Sequence, residues 1–153
     1  MMIRGISFKV KQREKGKVLS EIFQSINVKK YNWYNILDQN EVWKNFEEGE
    51  SFREEYYSGD DFEALINSEH YIIFLKLQAY FKIMKWRNLL TYKEFTEDDC
   101  QLIILVSDGE HVEIYAKEIS LLKHIYSSAE KNGYWAIEYI TDESDRRAGF
   151  DIL

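Results

Sequence analysis

The chain has no proline, one cysteine, three histidines and seven scattered glycines among 153 residues. Each scarcity excludes something. With Cys100 alone, no intramolecular disulfide can form and a four-thiolate zinc site is ruled out. An isolated cysteine on an apolar stretch reads as a small buried hydrophobe. Its neighbours Glu97, Asp98 and Asp99 would raise the thiol pKa, the opposite of what a catalytic thiolate needs. His70, His111 and His124 fall at no metal-ligand spacing such as i, i+4 on a helix, so no metal is expected. The glycines build neither a P-loop nor a dinucleotide cradle, and no Gly-x-Ser-x-Gly elbow occurs. No catalytic residue and no cofactor is therefore assigned.

Without proline, Gly/Ser linkers, repeats or low-complexity tracts, nothing marks an internal boundary, and 1–153 reads as a single domain. The longest apolar runs, Tyr71–Leu75 and Leu102–Val106, fall far short of the ~20 residues that span a bilayer. Met1–Val10 alternates polar with apolar and does not build a signal-peptide core. These features point to a cytoplasmic protein with no membrane partner.

Aromatic side chains are plentiful: nine Phe, eleven Tyr and four Trp, 16% of the chain, within a hydrophobic total of 45%. Each buries roughly 150–250 Å², so a chain of this size folds without disulfide or metal staples. The formal net charge is −7. Such a surface repels phosphate backbones unless its cations cluster, which argues against nucleic acid and leaves room for a basic protein partner.

Periodicity gives an α+β domain. Ile6, Phe8 and Val10 alternate with polar residues as a half-buried strand, and Val18, Leu19, Ile22, Phe23 and Ile26 recur at helical spacing. Tyr31–Leu37 and Glu41–Phe46 flank Asp38-Gln39-Asn40 and predict a hairpin. Glu47–Tyr57 lacks a period and reads as a surface loop. Asp60 with Glu63, and Thr91 with Glu94, carry capping-box spacing ahead of short helices. Tyr71–Leu77 and Leu102–Val106 read as central strands covered on both faces. Asp108-Gly109 predicts a tight hairpin turn into Val112–Ala116, a strand with one wet face. Ile119–Ala129 forms the best helix, ended by Asn132-Gly133, and Trp135–Ile140 is a last strand. Strands in hairpins mixed with helices predict a mostly antiparallel or mixed sheet with three to four helices packed on it.

Two surface features stand out. Glu47, Glu48, Glu50, Glu54, Glu55, Asp60, Asp61 and Glu63 are interleaved with or adjacent to Trp43, Phe52, Tyr56 and Tyr57. Rings beside carboxylates suit a hot spot for a basic partner, the acids steering encounter. Trp43, Glu47, Glu48, Glu54, Glu55, Tyr56 and Tyr57 are the candidate partner-binding residues, the plain alternative being a solvated loop whose rings fold onto the core. Lys76, Lys82, Lys85, Arg87 and Lys93, mixed with Tyr80, Phe81, Trp86 and Tyr92, form a weaker nucleic-acid candidate. A ligand or catalytic pocket at the sheet edge would draw on His111, Glu113, Asp142 and Asp145. A solvated edge and tail is the plain reading of those.

Arg4-Gly5-Ile6-Ser7-Phe8, Asp99-Cys100-Gln101-Leu102 and Tyr139-Ile140-Thr141-Asp142-Glu143 resemble a family of small uncharacterised proteins from Bacillus and its relatives, a domain of unknown function. Tyr31–Trp33 and the central strand also fit. The resemblance implies a bacterial, cytoplasmic setting and brings no activity, cofactor or catalytic residue. The expectation is a non-enzymatic interaction module, regulatory or toxin-neutralising, that binds a protein through its acidic aromatic surface. The rival is a small-ligand binder or enzyme.

Overall fold

The computed structural model describes residues 1–44, 47–50 and 52–151, the side chains of 44 and 47–50 excepted. The first half of the chain gives β1 (Ile3–Lys9), α1 (Val18–Ile22), β2 (Asn32–Asn35), β3 (Glu41–Lys44), β4 (Glu47–Glu50), β5 (Tyr56–Tyr57) and α2 (Gly59–Ile66). The second half gives β6 (Tyr71–Tyr80), α3 (Tyr92–Glu97), β7 (Leu102–Ser107), β8 (His111–Ala116), α4 (Ile119–Lys131) and β9 (Trp135–Thr141). The strands run β4-β3-β6-β7-β8-β1-β9 across one sheet, with β2 also on β6 and β5 outside β2. Every ladder is antiparallel. The α+β expectation holds.

The ten-residue β6 organises the sheet, because its alternating side chains belong to two different cores. Leu75, Leu77 and Ala79 join Trp33, Phe62, Leu122 and Ile125 beneath α1, α2 and α4. Trp33 is the anchor of that layer, stacked on Phe62 at 4.0 Å between ring centroids, with its indole N–H donating to the Val28 carbonyl. On the other face lie Lys76, Gln78 and Tyr80, all buried. There Leu89, Phe95, Ile103, Tyr115 and Phe150 form a smaller core under α3, the irregular segment 81–90 and the C-terminal stretch 142–151.

The two best sequence signals hold. Asp108 and Gly109 take φ of 54° and 68° in the β7–β8 turn, a conformation that glycine tolerates without strain. After α4, Gly133 takes φ 75°, with its own N–H donating to Glu130 and that of Tyr134 to Ala129, the paired bonds of a left-handed cap.

Four expectations need correction. β2 and β3 do not pair as a hairpin: both lie along the same side of β6, end to end, because that long strand offers more ladder than either can fill. The part of the predicted second arm at 45 and 46 lies outside the described residues. Glu47–Tyr57 is not simply a loop but supplies the edge strands β4 and β5. The helix expected from Asp60 is capped by Ser58, whose hydroxyl accepts from the Asp61 N–H. The wet face expected on β8 is covered by the C-terminal stretch, leaving Tyr115 fully buried and Glu113 half-buried.

The short α1 is held by a neighbouring imidazole. His70 is buried; its Nε2 accepts from the Leu19 N–H at 3.1 Å while Nδ1 donates to the Ser68 carbonyl at 2.8 Å. Burial lowers its pKa below the ordinary 6.5, since a second proton would remove the acceptor and charge the core. The unfolded chain takes up that proton first. Stability from this group is therefore present above pH 6.5 and lost as pH falls through the lower folded value. Unfolding by denaturant should show the native state losing stability as pH falls below 6.5. His70→Gln should start less stable and lose that slope.

Candidate functional site

The outer boundary of the sheet on the β3 side is built from β4 and β5, four and two residues long, each paired among the described residues on its inner side only. Between them the backbone is pinned by the buried Asn35. Its amide nitrogen donates to the Phe52 carbonyl at 2.7 Å and the Glu54 carbonyl at 3.2 Å, and its main-chain N–H donates to Glu55. Glu54 and Glu55 are thereby left with exposed side chains on a fixed backbone. Tyr56 and Tyr57 are half-buried. The Tyr56 hydroxyl donates to Asn32 Oδ1 at 2.6 Å with its ring against Tyr34, and the Tyr57 hydroxyl accepts from the Glu54 N–H at 3.0 Å. Burial raises both phenol pKa values, so both stay neutral.

Trp43 is also half-buried, its ring near Tyr71 and its N–H donating to Glu41. It is not beside the tyrosines. Trp43 is in register with Tyr71, and Tyr57 with Trp33 and so with Ala79, eight residues further along β6 or about 26 Å of strand. The side chains of Glu47 and Glu48 lie outside what the structure describes; their backbone is the β4 edge. The sequence-predicted residues thus fall along one edge, in two groups.

On the second face the structure gathers different groups. Glu113 Oε1 accepts from Arg147 Nε at 2.9 Å and Nη2 at 2.8 Å, and His111 Nε2 lies 3.5 Å away. Burial pushes the Glu113 carboxyl up, but hydrogen bonds from His111 and Arg147 more than offset this and hold it low. Asp145 accepts from the Tyr115 hydroxyl at 3.0 Å and from Arg4 at 3.3 Å. Asp142 is apart, accepting from the Met2 N–H at 3.0 Å. His111, Glu113 and Asp145 therefore meet, but as satisfied members of a clasp. Among the described residues no group of three His, Cys, Asp or Glu could hold a metal.

Beneath that clasp is the least expected group in the chain. Lys76 is fully buried, its Nζ donating at 2.6 Å to both Asn88 Oδ1 and the Leu89 carbonyl, with the Phe150 ring 5.9 Å off. Desolvation brings its pKa down to about 8, the nearby Arg147 adding to this and Asp151 opposing it. No described carboxylate forms an ion pair with it. The C-terminal stretch closes over it: Phe150 is buried, donates its N–H to the Leu90 carbonyl, and rests on Tyr115 at 4.9 Å. The tail therefore docks on its own domain as far as it is described; Ile152 and Leu153 lie outside the described residues.

A family model described as protein of unknown function, DUF2691, matches residues 3–151. The chain belongs to the DUF2691 family. The uncharacterised protein YncE of Bacillus subtilis is 30% identical over 165 residues, covering 99% of this chain and 100% of that one. No solved structure matches.

Within this DUF2691 chain, Lys76 and Tyr80 leave the surface group in which the sequence placed them, because their strand faces the second core. A single charge inside an otherwise apolar central strand was the available signal. Cys100 is buried, as expected, its thiol pushed up to about 12 chiefly by desolvation rather than by its acidic neighbours. No helix of the described residues is long and apolar enough to cross a membrane.

Two outcomes follow from the buried amine. As pH rises from 8 to 9.5 the folded state releases the Lys76 proton while the unfolded chain, at 10.5, retains it, so stability should increase by up to about 1 kcal/mol per unit. Lys76→Met should remove that increase in denaturant titrations. Phe150→Ala should cost about 3–5 kcal/mol and return the Lys76 pKa toward 10.5, read from the pH dependence of its reductive methylation.

Proposed function

We propose that this protein is a cytoplasmic, non-enzymatic binding module that engages a basic protein partner along the edge formed by β4 and β5. The observation that carries the reading is the pinned backbone at Asn35, which holds the Glu54 and Glu55 side chains outward beside a two-residue strand whose outer side pairs with no described strand. An open edge accepts an added strand through its main chain, and flanking carboxylates select a cationic one. Edge carboxylates also discourage unwanted strand pairing, so recognition and protection are separated by the partner's charge dependence.

Capture from a Bacillus lysate with the wild type and with Glu54→Gln/Glu55→Gln, compared by quantitative mass spectrometry, tests the proposal. A basic protein retained by the wild type, eluting as salt rises and reduced at least several-fold with the variant, is the expected result. Equal retention by both would overturn it. Adding Glu47→Gln/Glu48→Gln should reduce retention further.

A second reading, a small-ligand site beneath the C-terminal stretch, is favoured by one observation: Lys76 is a buried cation that no described carboxylate pairs. An anionic ligand there should raise the melting temperature of the wild type and not of Lys76→Met.

A further inference from the structure

The segment that follows β6 has no regular secondary structure, yet its backbone is fixed. The Tyr34 hydroxyl donates to the Met84 carbonyl and accepts from the Met84 N–H, at 3.1 and 3.2 Å. Asn32 Nδ2 donates to the Phe81 carbonyl, and Gln78 Nε2 to the Arg87 carbonyl. On this rigid loop the apolar side chains of Phe81 and Ile83 point outward, 51% and 73% exposed. Exposed cations lie on the same loop and on the neighbouring turn. Lys29 and Arg87 are neutralised by Glu63 and Glu94, whereas no described carboxylate pairs with Lys30, Lys82 or Lys85. Lys30 Nζ lies 5.2 and 5.9 Å from the Tyr31 and Phe81 rings, joining the neighbouring turn to the loop.

We infer that Phe81, Ile83, Lys30, Lys82 and Lys85 form a docking patch for an anionic lipid surface. Exposed apolar side chains beside lysines that no described carboxylate pairs match the two layers of such an interface, acyl chains below and anionic headgroups above. The composition does not fit a nucleic acid as well. Of the rings that would stack on bases, Trp86 lies against Tyr34 at 5.3 Å and Tyr92 beneath Arg4, both engaged within the protein. Ile83, the more exposed of the two apolar residues on this loop, has no ring to offer. The contact needs no spanning helix, so it departs from the sequence expectation of no membrane partner without requiring a transmembrane run. The net charge of −7 opposes approach at long range, and screening within about 10 Å at 0.1 M salt leaves the local lysines to act.

Cosedimentation with vesicles tests this, using phosphatidylcholine alone and a 3:1 mixture of phosphatidylcholine with phosphatidylglycerol. The wild type should partition onto the mixed vesicles and not the neutral ones, and should be released as salt rises. Each lysine lost should weaken partition about fivefold. Lys82→Gln/Lys85→Gln should therefore lose more than tenfold, and Ile83→Asp should abolish binding, both with unchanged thermal unfolding because all three side chains are exposed. Glu54→Gln/Glu55→Gln, which tests the edge, should retain vesicle binding, so the two proposals fail separately. Equal partition onto both vesicle types, no partition at low salt, or indifference to Ile83→Asp would overturn the inference. So would binding to single-stranded RNA, with no vesicle binding, lost in Lys82→Gln/Lys85→Gln.

Discussion

The backbone of residues 87–89 is paired with side chains rather than with another strand. Gln78 donates to the Arg87 carbonyl and accepts from the Leu89 N–H at 2.9 Å each, and Lys76 donates to the Leu89 carbonyl. A buried peptide group without a partner costs as much as a lost hydrogen bond, so an irregular cover can lie on a sheet only where the sheet supplies donors and acceptors. β6 supplies them with two long polar side chains on alternate positions of one face. What would be misplaced polarity in a central strand is the attachment of an entire layer.

The rest of the second face depends on that attachment. Leu90 offers its carbonyl to the Phe150 N–H, so the C-terminal stretch docks on a segment that is itself docked. Arg147 then bridges to Glu113 on β8 and Asp145 to Tyr115, closing the clasp over Lys76. Nearer β6, Tyr34 and Asn32 fix the stretch that carries Phe81 and Ile83 in the same way. On the opposite face helices do this work by ordinary apolar packing, with Trp33 and Phe62 at the centre. One sheet thus carries a helical layer held by burial and an irregular layer held by side-chain hydrogen bonds.

The helical layer was legible in the sequence because it obeys periodicity. Val18, Leu19 and Ile22 on α1, and Leu122, Ile125 and Ala129 on α4, fall where a 3.6-residue repeat puts them. Turn chemistry at Asp108-Gly109 and Asn132-Gly133 was equally local. Strand partnership was not: nothing near Asp38–Asn40 reveals that β2 and β3 share β6 instead of each other, since pairing is set by a strand thirty residues away. The acidic, aromatic composition around Glu54 and Glu55 was legible, but neither the edge strands there nor their separation from Trp43. The burial of Lys76 depended on Asn88, Leu89 and Phe150, distant in sequence and carrying no periodic signal.

Hydrogen exchange of the Leu89 amide is the most direct test that polar side chains of β6 hold the second layer. In the wild type this amide should exchange as slowly as those of β7. In Gln78→Met it should exchange far faster, together with the Phe150 amide, while the amides of α4 keep their protection. Unchanged exchange at Leu89, or an equal loss of protection across both faces, would contradict the account.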